Sequence, residues 1–334
     1  MNRIGQKCQK SCQGITMVEL LIAMAVGLTL VAGVAQLFLN SKKTYRMQEA
    51  VSHMQANGRF AISYLSRELR VAGFQGCPNL SAIQPNVLVS NAPPVFDLNS
   101  ALKGYDYEGS DLDGFTEPVD LVADTDIITT QRASSCRTAL GHDMASFAAA
   151  IKIVGVNACQ LLDDDVVMIT DCSSVDIFQA TNIQVSGGTT TVTHAASGNT
   201  SPQLSKAYSQ QTDLVKFMVK DFYIKESNTG IYALFERDIH GNEDILIEGV
   251  DDMQISYGVE QTLSNSMVFM DAEDVSTANL WPSVKSIKID LLLSTIEDNI
   301  VNSPQTYQFM GTSTTATDRR IRRTFSTTVS LRNR

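Results

Sequence analysis

An apolar run of 25 residues, Ile15 to Leu39, opens this 334-residue chain, and Glu19 is its only charged member. That length suffices for a membrane-spanning helix. A charge at the centre of such a span costs about 2.5–3.5 kcal/mol on insertion scales, and less near an end. The cost calls for a partner, and the residues before the run suggest one. Gly14 stands immediately ahead of Ile15. A cut after Gly14 creates a positive α-amine on Ile15, one helical turn from Glu19. The carboxylate can then neutralise that amine, or the amine of a neighbouring copy packed one step along a filament. The pattern implies a filament subunit.

The leader Met1–Gly14 is polar and basic, with Arg3, Lys7 and Lys10. It lacks the apolar stretch of a secretory signal peptide. With Gly14, Ile15 and Glu19 it resembles the type IV prepilin leader family. That resemblance implies cleavage after Gly14 by a membrane-embedded prepilin peptidase on the cytoplasmic side. The same enzyme then N-methylates Ile15. The family usually has Phe after the cleavage point; Ile15 departs from that, and processing is expected to survive the change. The alternative is an uncleaved signal anchor carrying a stray glutamate.

The formal charge is -10, and removing the three leader cations leaves -13. Such an acidic chain argues against a nucleic-acid-binding surface over most of the molecule. A hydrophobic content of 43% suits a packed domain. About 260 residues follow the N-terminal helix, room for one large domain or two small lobes.

Cys8 and Cys12 lie in the leader and leave with it. Their spacing suggests at most half a metal site, with no second pair nearby, and the apolar run follows Cys12 instead of preceding it as in a lipoprotein. Cys77, Cys136, Cys159 and Cys172 remain. An even number in a periplasm-facing domain implies disulfides, with three possible pairings. The favoured one closes the short loop Cys159–Cys172 and leaves Cys77–Cys136 to pin the end of the long helix to the sheet. No histidine stands in a partner motif for a catalytic thiol.

The helix is expected to run past the membrane. Lys42, Lys43 and Arg46 follow the apolar run, then Val51, Met54, Ala61, Leu65, Leu69 and Ala72 recur at three- and four-residue spacing. No proline occurs from Ile15 to Cys77. A continuous helix from Ile15 to about Ala72 is roughly 85 Å long. Gly73, with Gly76 and Pro78 behind it, supplies the stop. Gly27 and Gly33 are read as points of close helix packing through small residues.

Residues 78–120 are rich in turn formers and acids and read as a long connecting loop with little regular structure. Asp111-x-Asp113-Gly114 lacks the later ligands of a calcium loop, so a solvated acidic loop is preferred there. Strands are expected at 126–131, 151–156, 166–170, 175–180, 214–224, 231–236, 245–250, 253–259, 284–294 and 325–331. Gly187-Gly188 and Asn228-Thr229-Gly230 read as hairpin turns. The pattern has no fixed repeat and no βαβ alternation. It predicts an α+β, pilin-like fold with a long N-terminal α-helix packed on an antiparallel β-sheet domain. The expected organisation is leader 1–14, transmembrane or filament-core helix 15–39, periplasmic amphipathic half 40–76 and a globular β-rich domain 77–334.

Three segments carry a finer resemblance: Leu65-Ser66-Arg67-Glu68-Leu69-Arg70-Val71-Ala72-Gly73-Phe74-Gln75-Gly76-Cys77, Gly249-Val250-Asp251-Asp252-Met253-Gln254-Ile255-Ser256-Tyr257-Gly258, and the ending Arg323 to Arg334. They resemble the PilW-type minor pilins. The resemblance implies a low-abundance subunit that joins other minor pilins in the inner membrane, primes polymerisation of the major pilin on an inner-membrane assembly platform, and ends at the pilus tip. A large tip adhesin is among the implied partners. A minor pseudopilin of type II secretion is the alternative, with the same helix and processing.

Six arginines from Arg319 to Arg334 stand out against the acidic remainder. Solvated arginines on a strand edge are the preferred reading, with contact to an acidic partner subunit as the other. The scattered histidines His53, His142, His194 and His240 lack metal-ligand spacing, and Asp163-Asp164-Asp165 reads as a solvated turn. No nucleophile elbow, P-loop or dinucleotide fingerprint is present. The expectation is a non-enzymatic protein without cofactor or metal.

Overall fold

The computed structural model describes residues 15–74, 76, 83, 85–90, 102–109, 112, 115, 118, 120–155, 157, 159–261 and 266–332. Gly14, Cys77, the leader, most of the 78–120 segment, Asp111, Asp113 and Arg334 lie outside the described residues.

The helix α1 runs from Met17 to Val71 without interruption. Its 55 residues give about 82 Å of length. The first half is unpacked: Ile15 through Leu39 carry their large side chains into the open, with Leu37 70% exposed. Met54, Gly58, Ala61, Leu65, Glu68 and Leu69 line the buried face of the second half. Val51 packs against the same core. The helix ends at Ala72, and Gly73 takes a left-handed φ of 74°. The amide of Gly73 donates to the carbonyl of Gln131, so the chain leaves the helix directly onto the sheet.

Among the described residues, seventeen strands follow. The expected antiparallel domain is there, divided among several sheets. Eight strands form the largest: β1 (Asn86–Val87), β2 (Leu102–Tyr107), β3 (Thr125–Ala139), β5 (Val166–Thr170), β6 (Val175–Gln179), β9 (Asp213–Glu226), β10 (Tyr232–Asp238) and β11 (Glu243–Glu248). The long strand β9 pairs with β3 along one side; along the other it meets β5 at one end and β10 at the other. All pairs are antiparallel except the short β1–β6 bridge. Beside it, β4 (Ile151–Val154), β7 (Asn182–Ser186) and β8 (Thr189–Thr193) make a small sheet, its hairpin turned at Gly187-Gly188 as expected. A second major sheet has the order β13 (Ser266–Met270), β12 (Val250–Gln261), β14 (Val284–Ser294), β17 (Arg322–Ser330). A short helix α2 (Ala272–Thr277) and the hairpin β15 (Thr306–Phe309)–β16 (Thr312–Thr315) complete the chain.

Strand β2 corrects the expectation of a loop with little regular structure between 78 and 120. Leu102, Gly104 and Tyr105 are buried and pair with Thr130, Ile128 and Ile127 of β3. Its residues alternate less clearly than those of other strands, because Gly104 and Asp106 interrupt the apolar pattern.

The principal core lies between the second half of α1 and the two major sheets. Met54, Ala61, Leu65 and Leu69 meet Leu102, Phe222, Val250, Met253, Ile289 and Val329 there. A separate core fills the lobe around the small sheet, from Ile151, Ile153, Phe178, Val192, Tyr208 and Leu214. Gly249 joins the sheets: its φ is 81°, its amide donates to Tyr232 on β10, and its carbonyl accepts from Ser294 on β14. A Cβ there would lie 2.7 Å from the Ser294 carbonyl oxygen, so the turn requires glycine.

Candidate assembly site along the helix

Thr16 is the N-cap of α1, and Glu19 sits three residues on. The Glu19 amide donates to Thr16 Oγ1 at 3.3 Å, while Glu19 Oε2 accepts from the Thr16 amide at 3.2 Å and from its hydroxyl at 3.1 Å. This is a reciprocal capping box, which satisfies amides the first turn leaves orphaned. Glu19 therefore has a partner within its own chain before any neighbour arrives. The sequence carried the signal in the spacing Thr16-x-x-Glu19, which reading Glu19 only against an α-amine had passed over. Ile15, 76% exposed, lies immediately before the cap. The geometry brings Ile15, Thr16 and Glu19 together at one end of the chain's most apolar surface.

That surface is continuous from Ile15 to Leu39, and α1 is long and apolar enough to cross a membrane. Two features hold its other half to the sheets. Glu68, nearly buried, lies 3.2 Å from Arg132 on β3 and 3.9 Å from Lys220 on β9. Lys220 in turn pairs with Glu236 on β10 at 2.6 Å and donates to the Tyr64 hydroxyl at 3.1 Å, and that hydroxyl donates to Glu236. Beside this network, Gly58 lets the ring of Phe325 on β17 lie against the helix backbone; an added Cβ would stand 2.5 Å from it.

The disulfide expectation is corrected. Cys136, at the end of β3, bonds Cys159, in the turn before β5. Cys159 thus closes back onto the long strand instead of onto Cys172, because β4 and the turn after it return the chain to the end of β3: Leu140 bridges to Ile153. Cys172 is also disulfide-bonded, and Cys77 lies outside the described residues.

Two further expectations change. Arg322 is not a solvated arginine: its guanidinium makes two bonds to Asp318, at 2.6 and 2.8 Å, and one to Asp251 at 2.7 Å. These carboxylates raise its pKa further above the ordinary arginine value. Arg322 is drawn inward because it begins β17 opposite Ser294, whose hydroxyl donates to the same Asp251. Asp163-Asp164-Asp165 is the expected turn, with Asp163 and Asp164 exposed, but Asp165 is buried. Asp165 pairs with Lys216 at 2.5 Å, Asp163 accepts from the Ile183 amide, and Asp164 accepts from Gln179. The carboxylates fasten the turn between β4 and β5 to the strands around it.

A family of type IV pilus-assembly protein W matches residues 221–333, about a third of the chain. That segment begins within β9 and takes in the whole four-stranded sheet, one of the two against which α1 packs. The prokaryotic N-terminal methylation motif matches residues 9–35, across Gly14-Ile15 and the start of the helix. Over these two segments the chain is similar to PilW-family type IV pilins. PilW pilins are structural components involved in pilus assembly, and an apolar N-terminal helix with a methylation motif fits an inner-membrane-anchored pilin. The PilW match leaves out the small lobe built from residues before 221. No curated protein and no solved structure gives a significant match to the chain.

Proposed function

We propose that this chain is a minor pilin that joins other minor pilins in a complex that primes pilus assembly and then occupies the tip. One observation carries the reading. The methylation motif opens α1, and the PilW match covers one of the two sheets onto which the other end of α1 is packed. Helix and sheet are thus one assembly unit.

In this reading the prepilin peptidase cuts after Gly14 and methylates Ile15. Loss of the leader leaves an α-amine next to the Thr16–Glu19 cap. Glu19 then exchanges part of its intramolecular capping for the amine of a neighbouring subunit. An unpaired carboxylate in an apolar helix bundle is costly, so the exchange selects register. The exposed half of α1 is stored in the membrane before assembly and buried among other helices afterwards. The chain acts as scaffold, not as catalyst, and needs no metal or cofactor; its partners are minor and major pilins, the peptidase, the inner-membrane platform and a tip adhesin.

Deletion of the chain, with complementation by the intact chain, tests this. The minor-pilin reading expects loss of surface pili and of twitching, with secretion of exoproteins unchanged. Loss of secretion with pili intact would assign the chain to a type II secretion pseudopilus instead.

A further inference from the structure

Lys42 and Lys43 stand three and four residues after Leu39, and Arg46 three and four after Lys43 and Lys42, so the four share one face of α1. Facing them is the segment after β14, which brings Asn299 and Ile300 against the helix. Between the two lies a hollow of about 260 Å³ lined by these six residues, three of them cations and none a carboxylate. Its floor is apolar, from Leu39 and the buried Ile300.

The cations are not consumed by the protein. Lys42 has no ion-pair or hydrogen-bond partner among the described residues. Lys43 donates only to the side-chain amide oxygen of Asn302. Arg46 meets Glu297 at 2.7 Å, but both side chains are at least half exposed, and a pair in that setting is easily exchanged.

Position says what would sit there. Leu39 is the last residue of the apolar run. Lys42, Lys43 and Arg46 rise about 4.5 to 10.5 Å beyond it along the helix. The headgroup layer outside each face of the hydrocarbon core is roughly 5–8 Å deep. With Leu39 at the edge of the core, the hollow lies at the level of lipid phosphates.

We propose that this hollow binds the headgroup of an anionic phospholipid, with Lys42 and Lys43 on the phosphodiester, Arg46 able to swing from Glu297 onto it, and Leu39 and Ile300 against the glycerol and first acyl carbons. The proposal rests on α1 being the membrane anchor. It gives the protein a lipid-set depth and rotation before extraction into a filament. Leaving the membrane then includes releasing that lipid.

The test uses the full-length chain in a neutral detergent, with bound lipid counted by native mass spectrometry. Phosphatidylglycerol is compared with phosphatidylcholine and with inorganic phosphate. The expected result is at least a tenfold preference for phosphatidylglycerol over phosphatidylcholine, and no comparable retention of phosphate. Lys42→Gln with Lys43→Gln should remove the preference about tenfold, while Lys152→Gln on the exposed face of β4 leaves it intact. Equal retention of the two lipids, retention undiminished in the double variant, or displacement by inorganic phosphate at equal concentration would each overturn the proposal. Alkaline extraction of membranes containing the full chain separates the two levels of argument. Release into the supernatant would overturn the anchor and with it the lipid site. Retention without lipid preference would overturn the lipid site alone.

Discussion

Gly58 and Phe325 meet closely where α1 packs on β17. In an exposed helix, alanine in place of glycine stabilises by up to about 1 kcal/mol. Here the new Cβ would stand 2.5 Å from the Phe325 ring, and overpacking of that kind costs about 1–3 kcal/mol. The second effect is the larger, so Gly58→Ala should lower the thermal midpoint. Adding Phe325→Leu should recover much of the loss; a Gly58→Ala protein more stable than the parent would show that the ring simply moves aside. Asp126 offers a test of a different kind. It is buried on β3, where its carboxylate accepts from the Ile255 amide of β12 at 2.6 Å. Burial lifts its pKa from 3.8 to about 8, the hydrogen bond opposes that, and Asp106, Asp252 and Asp271 add to it. Between those two values the folded chain keeps a proton that the unfolded chain has lost. Stability therefore falls as pH rises across this window, by up to about 1.4 kcal/mol per pH unit from this group. Asp126→Asn keeps an acceptor and removes the titration, so denaturation midpoints followed from pH 5 to 8 should decline less steeply in the variant. Parallel slopes would contradict this. Neither effect was legible in the sequence: Gly58 broke no pattern, and nothing local marks Asp126, at the start of an expected strand, as buried.

Elements were far more legible. The recurrence Met54, Ala61, Leu65, Leu69 marked the packed face of α1, since helical periodicity survives in any register. The strand at Val284–Ser294 and the hairpin around Asn228-Thr229-Gly230 were also marked by local pattern. What escaped were short edge elements whose burial depends on a distant partner. Strand β2 is recognisable only once β3 is beside it, and β13 and the β15–β16 hairpin expose most of their residues. The disulfide escaped for a related reason. Shortness of loop favoured Cys159–Cys172, whereas pairing of Leu140 with Ile153 carries Cys159 back to Cys136. Non-reducing peptide mapping should recover a Cys136–Cys159 cross-linked peptide. Cys136→Ser with Cys159→Ser should cost about 2–4 kcal/mol, read as a lower denaturation midpoint. A parent map showing Cys159 linked to Cys172 would contradict the fold of this lobe.

At the scale of the whole molecule, one helix serves two environments. Its first half offers a largely apolar surface with one capped carboxylate. Its second half is locked by Leu65, Leu69 and the Glu68–Arg132–Lys220 contacts, so the domain moves wherever the helix is carried. The small lobe from the middle of the chain, outside the PilW match, is stacked on the same long strands β3 and β9. The central claim is that this unit is cut, methylated and built into a pilus. Mass spectrometry of sheared surface filaments tests it most directly. The expected result is a trace component whose N-terminal peptide begins with N-methylated Ile15. Abundant pili from which the chain is missing, with an intact Met1 form retained in the envelope, would contradict it.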